Sequence, residues 1–398
     1  MRAKRIVREI LDLHPSPYPP HRNQLERLIG ACKSFDTLGE TAVDRLSSLQ
    51  VKPPPLRFAP IPNFRQAGIP PIATTGDLAK WLQISLTHLD WFADERRTLG
   101  REPDLSLQHY TYTWVPKRAA WRLIEAPKPR LKELQRRILH EILDRVEPHE
   151  AAHGFARGRS CATAAAKHAG EDVVLAVDLS NFFLNTQLSR VYAVFRCLGY
   201  PHSVARTLTR LCSTITPLAV LEAQGVDYAT RQRFATPHLP QGAPTSPALA
   251  NLVALRLDHR LNGLARRHDA RYTRYADDLT FSGDKGFRDR LPSFQRTLSE
   301  IVMNEGFALN AAKTRVMPNS TRQTVTGIVV NQHINVTRVA YDALKATLSN
   351  CVRRGAASQN RDAHADFRAH LDGRIAWVEN INLRRGEKLR RIFDAINW

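Results

Sequence analysis

The chain has 398 residues, 43% hydrophobic and 24% charged, ordinary proportions for a globular protein with room for two or three domains. Its charge is not ordinary: 58 Lys and Arg against 38 Asp and Glu give a formal +20, which points to a polyanionic partner, nucleic acid before an acidic membrane surface. No run is apolar and long enough to span a bilayer, and five scattered cysteines without a C-x-x-C pair argue against zinc and disulfides and for a reduced, cytoplasmic protein.

In chain order, residues 1–52 read as a helical extension, with "HRNQLERLIGACKSF" as one amphipathic run. Residues 53–73 form a proline-rich linker, extended or wrapped over a neighbouring surface, since seven of the nineteen residues from Pro53 to Pro71 are proline. Residues 74–109 carry two short helices. Thr75 is the expected cap, with Leu78, Trp81 and Leu82 on the first apolar face and Leu86, Leu89 and Phe92 on the second. Such a pair can be mistaken for a DNA-reading helix-turn-helix, but packing on a larger domain is the expectation.

Residues 110–337 change character. Two alternating strands in "YTYTWVPKRAAWRLIEAP" precede a helix after Pro129 that buries Leu131, Leu134, Ile138, Leu139 and Ile142. An apolar strand, "DVVLAVD", ends at Asp178. Then come the helical "LSRVYAVFRCLGY", the segment "LPQGAPTSPALANLVALRLDHRL", a hairpin, a helix from Phe287 to Asn304 and a strand from Val325 to Asn331. Residues 338–398 read as helical and basic.

The hairpin, "RYADDLTFSG" (Arg274–Gly283), sets Asp277 and Asp278 at its tip between β-rich Tyr272–Tyr275 and the alternating Leu279–Ser282. One Asp in a turn can serve its own backbone. Two in a row repel by about 4 kcal/mol at ~4 Å and an effective dielectric near 20, a penalty that a bound cation removes. Asp178 lies 99 residues before Asp277, so only the fold can bring it to them. Three carboxylates in one small volume have raised pKa values unless a metal holds them ionised. Oxygen ligands without His or Cys suit Mg²⁺, and two such ions activate a hydroxyl nucleophile and stabilise departing pyrophosphate. Nucleotide addition is the expected chemistry.

"YADDLTFSG" resembles the catalytic hairpin of reverse transcriptases, specifically of the bacterial retron type. "HGFARGRS" (His153–Ser160), "AVDLSNFF" (Ala176–Phe183), "LPQGAPTSP" (Leu239–Pro247), "LNAAKT" (Leu309–Thr314), "VTGIVVN" and "LDGRIAWV" (Leu371–Val378) follow in the family's order. The resemblance implies an α+β right-hand polymerase of fingers, palm and thumb. Its antiparallel palm sheet would be backed by helices, with fingers and palm in 110–337, a helical thumb in 338–398 and an N-terminal helical extension. It implies that Asp178 and Asp277 bind two Mg²⁺ ions, with Asp278 nearby and less directly coordinated and the Leu179 carbonyl a further ligand. Phe183 matches the position under the incoming sugar, where a ring excludes a 2′-hydroxyl and selects deoxynucleotides; of Phe182 and Phe183, at least one is core. Gln241 and Gly242 would approach the nucleotide from a turn that also starts a helix. Arg122, with Lys117 beside it, matches the triphosphate grip, and Lys313 the general acid that protonates pyrophosphate. Arg157 and Arg159, flanking Gly158, would hold template phosphates. Trp377 reads as core.

Val325, Thr326 and Gly327 match a triplet the family associates with its own structured RNA. Ala165 and His168 match part of an N-A-x-x-H segment in which Ala164 replaces the Asn, a departure that bears on RNA recognition or priming. The resemblance implies copying of part of a cognate noncoding RNA into DNA from dNTPs. Priming from a guanosine 2′-hydroxyl would give a branched RNA–DNA product, in antiphage defence, with an effector or toxin protein as a further partner and no membrane. Alternatives are a protein-primed or otherwise primed defence enzyme, a non-catalytic RNA-binding scaffold of the same fold, and an RNA-dependent RNA polymerase, which Phe183 opposes.

Overall fold

The computed structural model describes residues 57–65, 67–94, 104–117 and 120–398, with scattered positions between 9 and 32. Most of residues 1–52, and residues 53–56, fall outside this description. The chain divides into two compact units, Met1–Leu56 and Arg57–Trp398, and every labelled element belongs to the second.

Residues 57–65 form a strap. The Ala59 and Ile61 amides donate to the Gly199 and Cys197 carbonyls (2.9 and 3.1 Å), and Phe58 and Phe64 pack on the main core. Helices α1 (Thr75–Leu82) and α2 (Leu86–Ala93) follow. Thr74, rather than Thr75, caps α1, in a reciprocal capping box with Asp77. Leu78, Leu82 and Leu89 enter the main core.

Strands β1 (Tyr110–Lys117) and β2 (Ala120–Pro127) form an antiparallel hairpin, followed by α3 (Pro129–Glu141) and α4 (Cys161–Ala166). Strand β3 (Val173–Asp178) leads to α5 (Leu188–Cys197), α6 (His202–Leu211), α7 (Leu218–Ala223), α8 (Tyr228–Phe234), α9 (Ser246–Val253) and α10 (Leu255–Arg267). Strands β4 (Arg271–Tyr275) and β5 (Asp278–Gly283) come next. The helix expected over 287–304 is two, α11 (Lys285–Asp289) and α12 (Leu291–Asn304), broken at Arg290 with Pro292 in the first turn of α12. After β6 (Arg315–Pro318), the strand expected over 325–331 is instead a tight hairpin of β7 (Thr324–Val325) and β8 (Ile328–Val329). Thr326 and Gly327 turn it with φ of +48° and +84°, the double left-handed geometry of a two-residue hairpin loop. Helices α13 (Arg338–Arg354), α14 (Phe367–Ile381) and α15 (Leu383–Asp394) close the chain.

The central sheet is antiparallel in the order β4-β5-β3-β6. Strand periodicity divides β3 between two cores. Val173, Leu175 and Val177 join the main core beneath the helices, whereas Val174 joins a second core with Met317, Val325, Ile328 and the inner faces of α13–α15. The architecture is α+β, an antiparallel sheet with helices against both faces.

Candidate active site

Strands β4 and β5 pair Tyr275 with Asp278, so Ala276 and Asp277 make the turn and Asp278 opens β5. The acidic pair is therefore split between turn and strand instead of forming the tip together. Ala276 adopts φ +56°, a conformation that favours glycine at the first loop position of such a turn. A buried scaffold holds it there. The fully buried Arg274 donates through Nη1 to the Ala276 carbonyl (3.1 Å) and to Asn251 Oδ1 (2.9 Å). Its Nε and Nη2 grip both carboxylate oxygens of buried Asp258 on α10 (2.8 and 2.6 Å), and the Tyr272 hydroxyl donates to the same carboxylate (2.8 Å). Gly154 closes the other side, where a Cβ would lie 2.6 Å from the Ala276 nitrogen. Sequence reasoning missed Arg274, Asp258 and Gly154. The available signal was a charged residue on the strand face it shares with Tyr272.

Asp178 is the register partner of Asp278, which puts both on one face of the sheet. The Leu179 amide donates to the Asp277 carbonyl (2.9 Å), tying the end of β3 to the turn, and the Asn310 amide donates to the Asp178 carbonyl (2.8 Å). Arg122, Asp178, Leu179, Phe183, Gln241, Asp277 and Lys313 all line one cleft of about 1220 Å³. Phe182 is core, 3% exposed, while the neighbouring Phe183 is half-buried. Lys313 Nζ lies 2.8 Å from each Asp178 carboxylate oxygen. Asp178 is 5% exposed, so this ammonium offsets a charge that is nearly out of water.

Among the described residues no three His, Cys, Asp or Glu side chains gather as a cage for a cation. Two of the expected three carboxylates line the cleft, with the exposed Asp278 beside them on β5. Carboxylates in a cleft lined by no His or Cys suit a hard divalent cation, which completes its shell with water and substrate phosphates in place of an all-protein cage.

A family model described as reverse transcriptase (RNA-dependent DNA polymerase) matches residues 115–330. The retron Mx65 reverse transcriptase of Myxococcus xanthus is 41% identical over 332 residues, covering 81% of this chain and 72% of that protein. The chain belongs to the reverse transcriptase family, in its retron branch. Retron Mx162 reverse transcriptase of the same organism is 41% identical over 278 residues, 67% of this chain and 55% of that protein. Retron Ec86 reverse transcriptase of Escherichia coli is 30% identical over 287 residues, 72% and 80% respectively. This retron-type reverse transcriptase is an RNA-directed DNA polymerase with the right-hand polymerase fold, and the four-stranded sheet is its palm.

In the reverse transcriptase a buried polar link joins β2 to the loop carrying Gln241. The fully buried Glu125 takes hydrogen bonds from His238 Nε2 (2.9 Å) and Thr216 Oγ1 (2.7 Å), and its amide donates to the Gln241 carbonyl (2.8 Å). Burial opposes charge on His238, but Glu125 and the Thr236 carbonyl outweigh it and raise the imidazole pKa. Gly242, at φ +137°, fits flat against this strand; a Cβ there would meet the Glu125 carbonyl oxygen at 2.8 Å. The Lys117 side chain falls outside the described residues.

Several residues expected at the RNA are buried or turned inward. His168 is fully buried, with Nδ1 on Ser282 Oγ and Nε2 on Thr273 Oγ1, both at 2.7 Å. It clamps α4 to β4 and β5 and presents no edge to a nucleic acid. Burial first, then His153 and Arg271, lower its pKa to about 3. Arg159 turns inward, donating to the His149, Glu150 and Ala152 carbonyls at 2.6, 3.2 and 2.8 Å, whereas Arg157 is exposed. Val325 is core, and Thr326 Oγ1 donates to the Cys161 carbonyl (3.2 Å). Gly327 lines a second cavity of about 380 Å³ with Tyr341, Arg374 and Trp377. Trp377 is 43% exposed, which corrects its reading as core.

Proposed function

We propose that the reverse transcriptase adds deoxynucleotides in the cleft shared by Asp178 and Asp277. Both carboxylates would hold two Mg²⁺ ions, with the Leu179 carbonyl as a further ligand and Asp278 engaged less directly. When bound, such ions activate the attacking hydroxyl and stabilise departing pyrophosphate. Arg122 and Lys117 grip the triphosphate, Gln241 and the bare backbone of Gly242 meet the nucleotide, and the Phe183 ring excludes a 2′-hydroxyl. Lys313, held beside the reaction centre by Asp178, carries the proton that pyrophosphate takes up. The observation behind this reading is that Asp178, Asp277, Phe183, Gln241 and Arg122 face one cleft.

The template is part of a cognate structured RNA, and synthesis starts from a 2′-hydroxyl of that RNA to give a branched product in antiphage defence, alongside an effector protein in the cytoplasm. Similarity to retron reverse transcriptases supports this reading. Residues 1–52 serve as an extension, 53–73 as linker, 74–109 as a packing segment, 110–337 as fingers and palm and 338–398 as thumb. Exposed Arg157 and the Thr326–Gly327 turn are the RNA contacts, while Arg159, His168 and Val325 support them from within.

The test is synthesis from dNTPs by the protein purified with its RNA. Asp178→Ala and Asp277→Ala are expected to abolish it; undiminished synthesis in either excludes the site. Sequencing the co-purified nucleic acid, with and without cleavage of 2′–5′ branches, reads the template and the priming hydroxyl.

A further inference from the structure

Phe155, in "HGFARGRS", has no part in the roles above. It is 50% exposed, and its backbone sits at φ +57°, where a bulky residue goes only under constraint. The constraint is visible on its N-terminal side. The His153 amide donates to the Arg274 carbonyl (2.7 Å), Asn251 Nδ2 donates to the Gly154 carbonyl (2.9 Å), and Gly154 lies flat against Tyr275 and Ala276. A chain needing only a turn here would be better served by glycine.

What the strained backbone achieves is to hold a ring in the cleft. Phe155 lines the same cleft as Asp178 and Phe183. Its ring centroid lies 6.3 Å from that of Phe183 and 6.5 Å from that of Tyr275. Phe183 therefore has two ring neighbours, buried Phe182 at 5.7 Å and half-exposed Phe155 at 6.3 Å. Tilted aromatic pairs at these separations attract. A filter that separates ribose from deoxyribose works on a single oxygen atom, so its ring must not swing to another rotamer when pushed.

We infer that Phe155 is a specificity-determining residue, the outer ring that keeps Phe183 in the path of a ribose 2′-hydroxyl. The inference rests on the reading of Phe183 as the sugar gate. The experiment is single-nucleotide incorporation by the protein with its bound RNA, comparing kcat/KM for a dNTP with that for the matching rNTP. Phe155→Ala and Phe155→Gly should each lower the dNTP-to-rNTP ratio by about tenfold, Phe183→Ala should lower it further, and Phe155→Tyr should stay close to wild type. Glycine suits the left-handed backbone, so Phe155→Gly should melt no lower than Phe155→Ala, which separates sugar selection from a folding role. A wild-type ratio in both truncations, with Phe183→Ala still lowering it, overturns the inference and leaves the gate standing. A wild-type ratio in Phe183→Ala as well removes both.

Discussion

The Lys313 ammonium sits astride Asp178, 2.8 Å from each carboxylate oxygen. A cation drawn to Asp178 competes with this lysine for the same negative charge. Replacing Lys313 by Met is expected to lower the Mg²⁺ concentration needed for half-maximal synthesis. The same change should reduce kcat by about 10²–10⁴-fold, the usual range for loss of a general acid. Arginine should not restore kcat, because a guanidinium does not release its proton. Primer extension across a Mg²⁺ titration reads both effects.

Arg274 and Asp258 form a fully buried ion pair, joined at 2.6 and 2.8 Å. Arg274→Met strands the carboxylate and is expected to cost about 3–5 kcal/mol of stability, measured by urea unfolding. Pairing it with Asp258→Leu should recover most of the stability. Synthesis should stay low in the double variant, since the Ala276 carbonyl still lacks its donor.

Glu125 holds the Arg122-bearing strand to the Gln241 loop through His238 and Thr216. Glu125→Ala is expected to raise KM for dNTPs more than it lowers kcat, a split that steady-state kinetics resolves. Because the His238 pKa is raised in the folded protein, the pair contributes fully below the ordinary imidazole value. That contribution fades as pH rises through the folded value. Glu125→Gln should abolish this alkaline loss in a melting-temperature series.

His168 behaves in the opposite sense. Its folded pKa is lowered by burial from 6.5 to about 3, so the unfolded chain binds a proton that the folded one refuses. Stability from the neutral ring is complete above 6.5 and declines as pH falls towards 3. His153, lowered to about 4 chiefly by burial, adds to the same trend. Melting temperature should drop between pH 7 and pH 5, and His168→Asn should flatten that drop.

Much of this was legible from local pattern. The apolar run of β3, the α3 stripe and the ordered motifs point to the elements and to the acidic cleft. Ala276 was not, because nothing in an alanine side chain announces φ +56°; the conformation is imposed by Arg274 and Gly154. Arg274 carries no signal of its role in the sequence, since its partner Asp258 lies sixteen residues earlier on a helix. The β-branched residues of "VTGIVVN" suggest one strand, yet Thr326–Gly327 reverse the chain. His168 reads as an RNA contact until Thr273 and Ser282, 105 and 114 residues away, take up both of its nitrogens.

Because alternate side chains of β3 enter opposite cores, the three C-terminal helices share an apolar core with Val174 on the strand that delivers Asp178. Moving those helices away from the sheet would open the apolar core that they share with Val174.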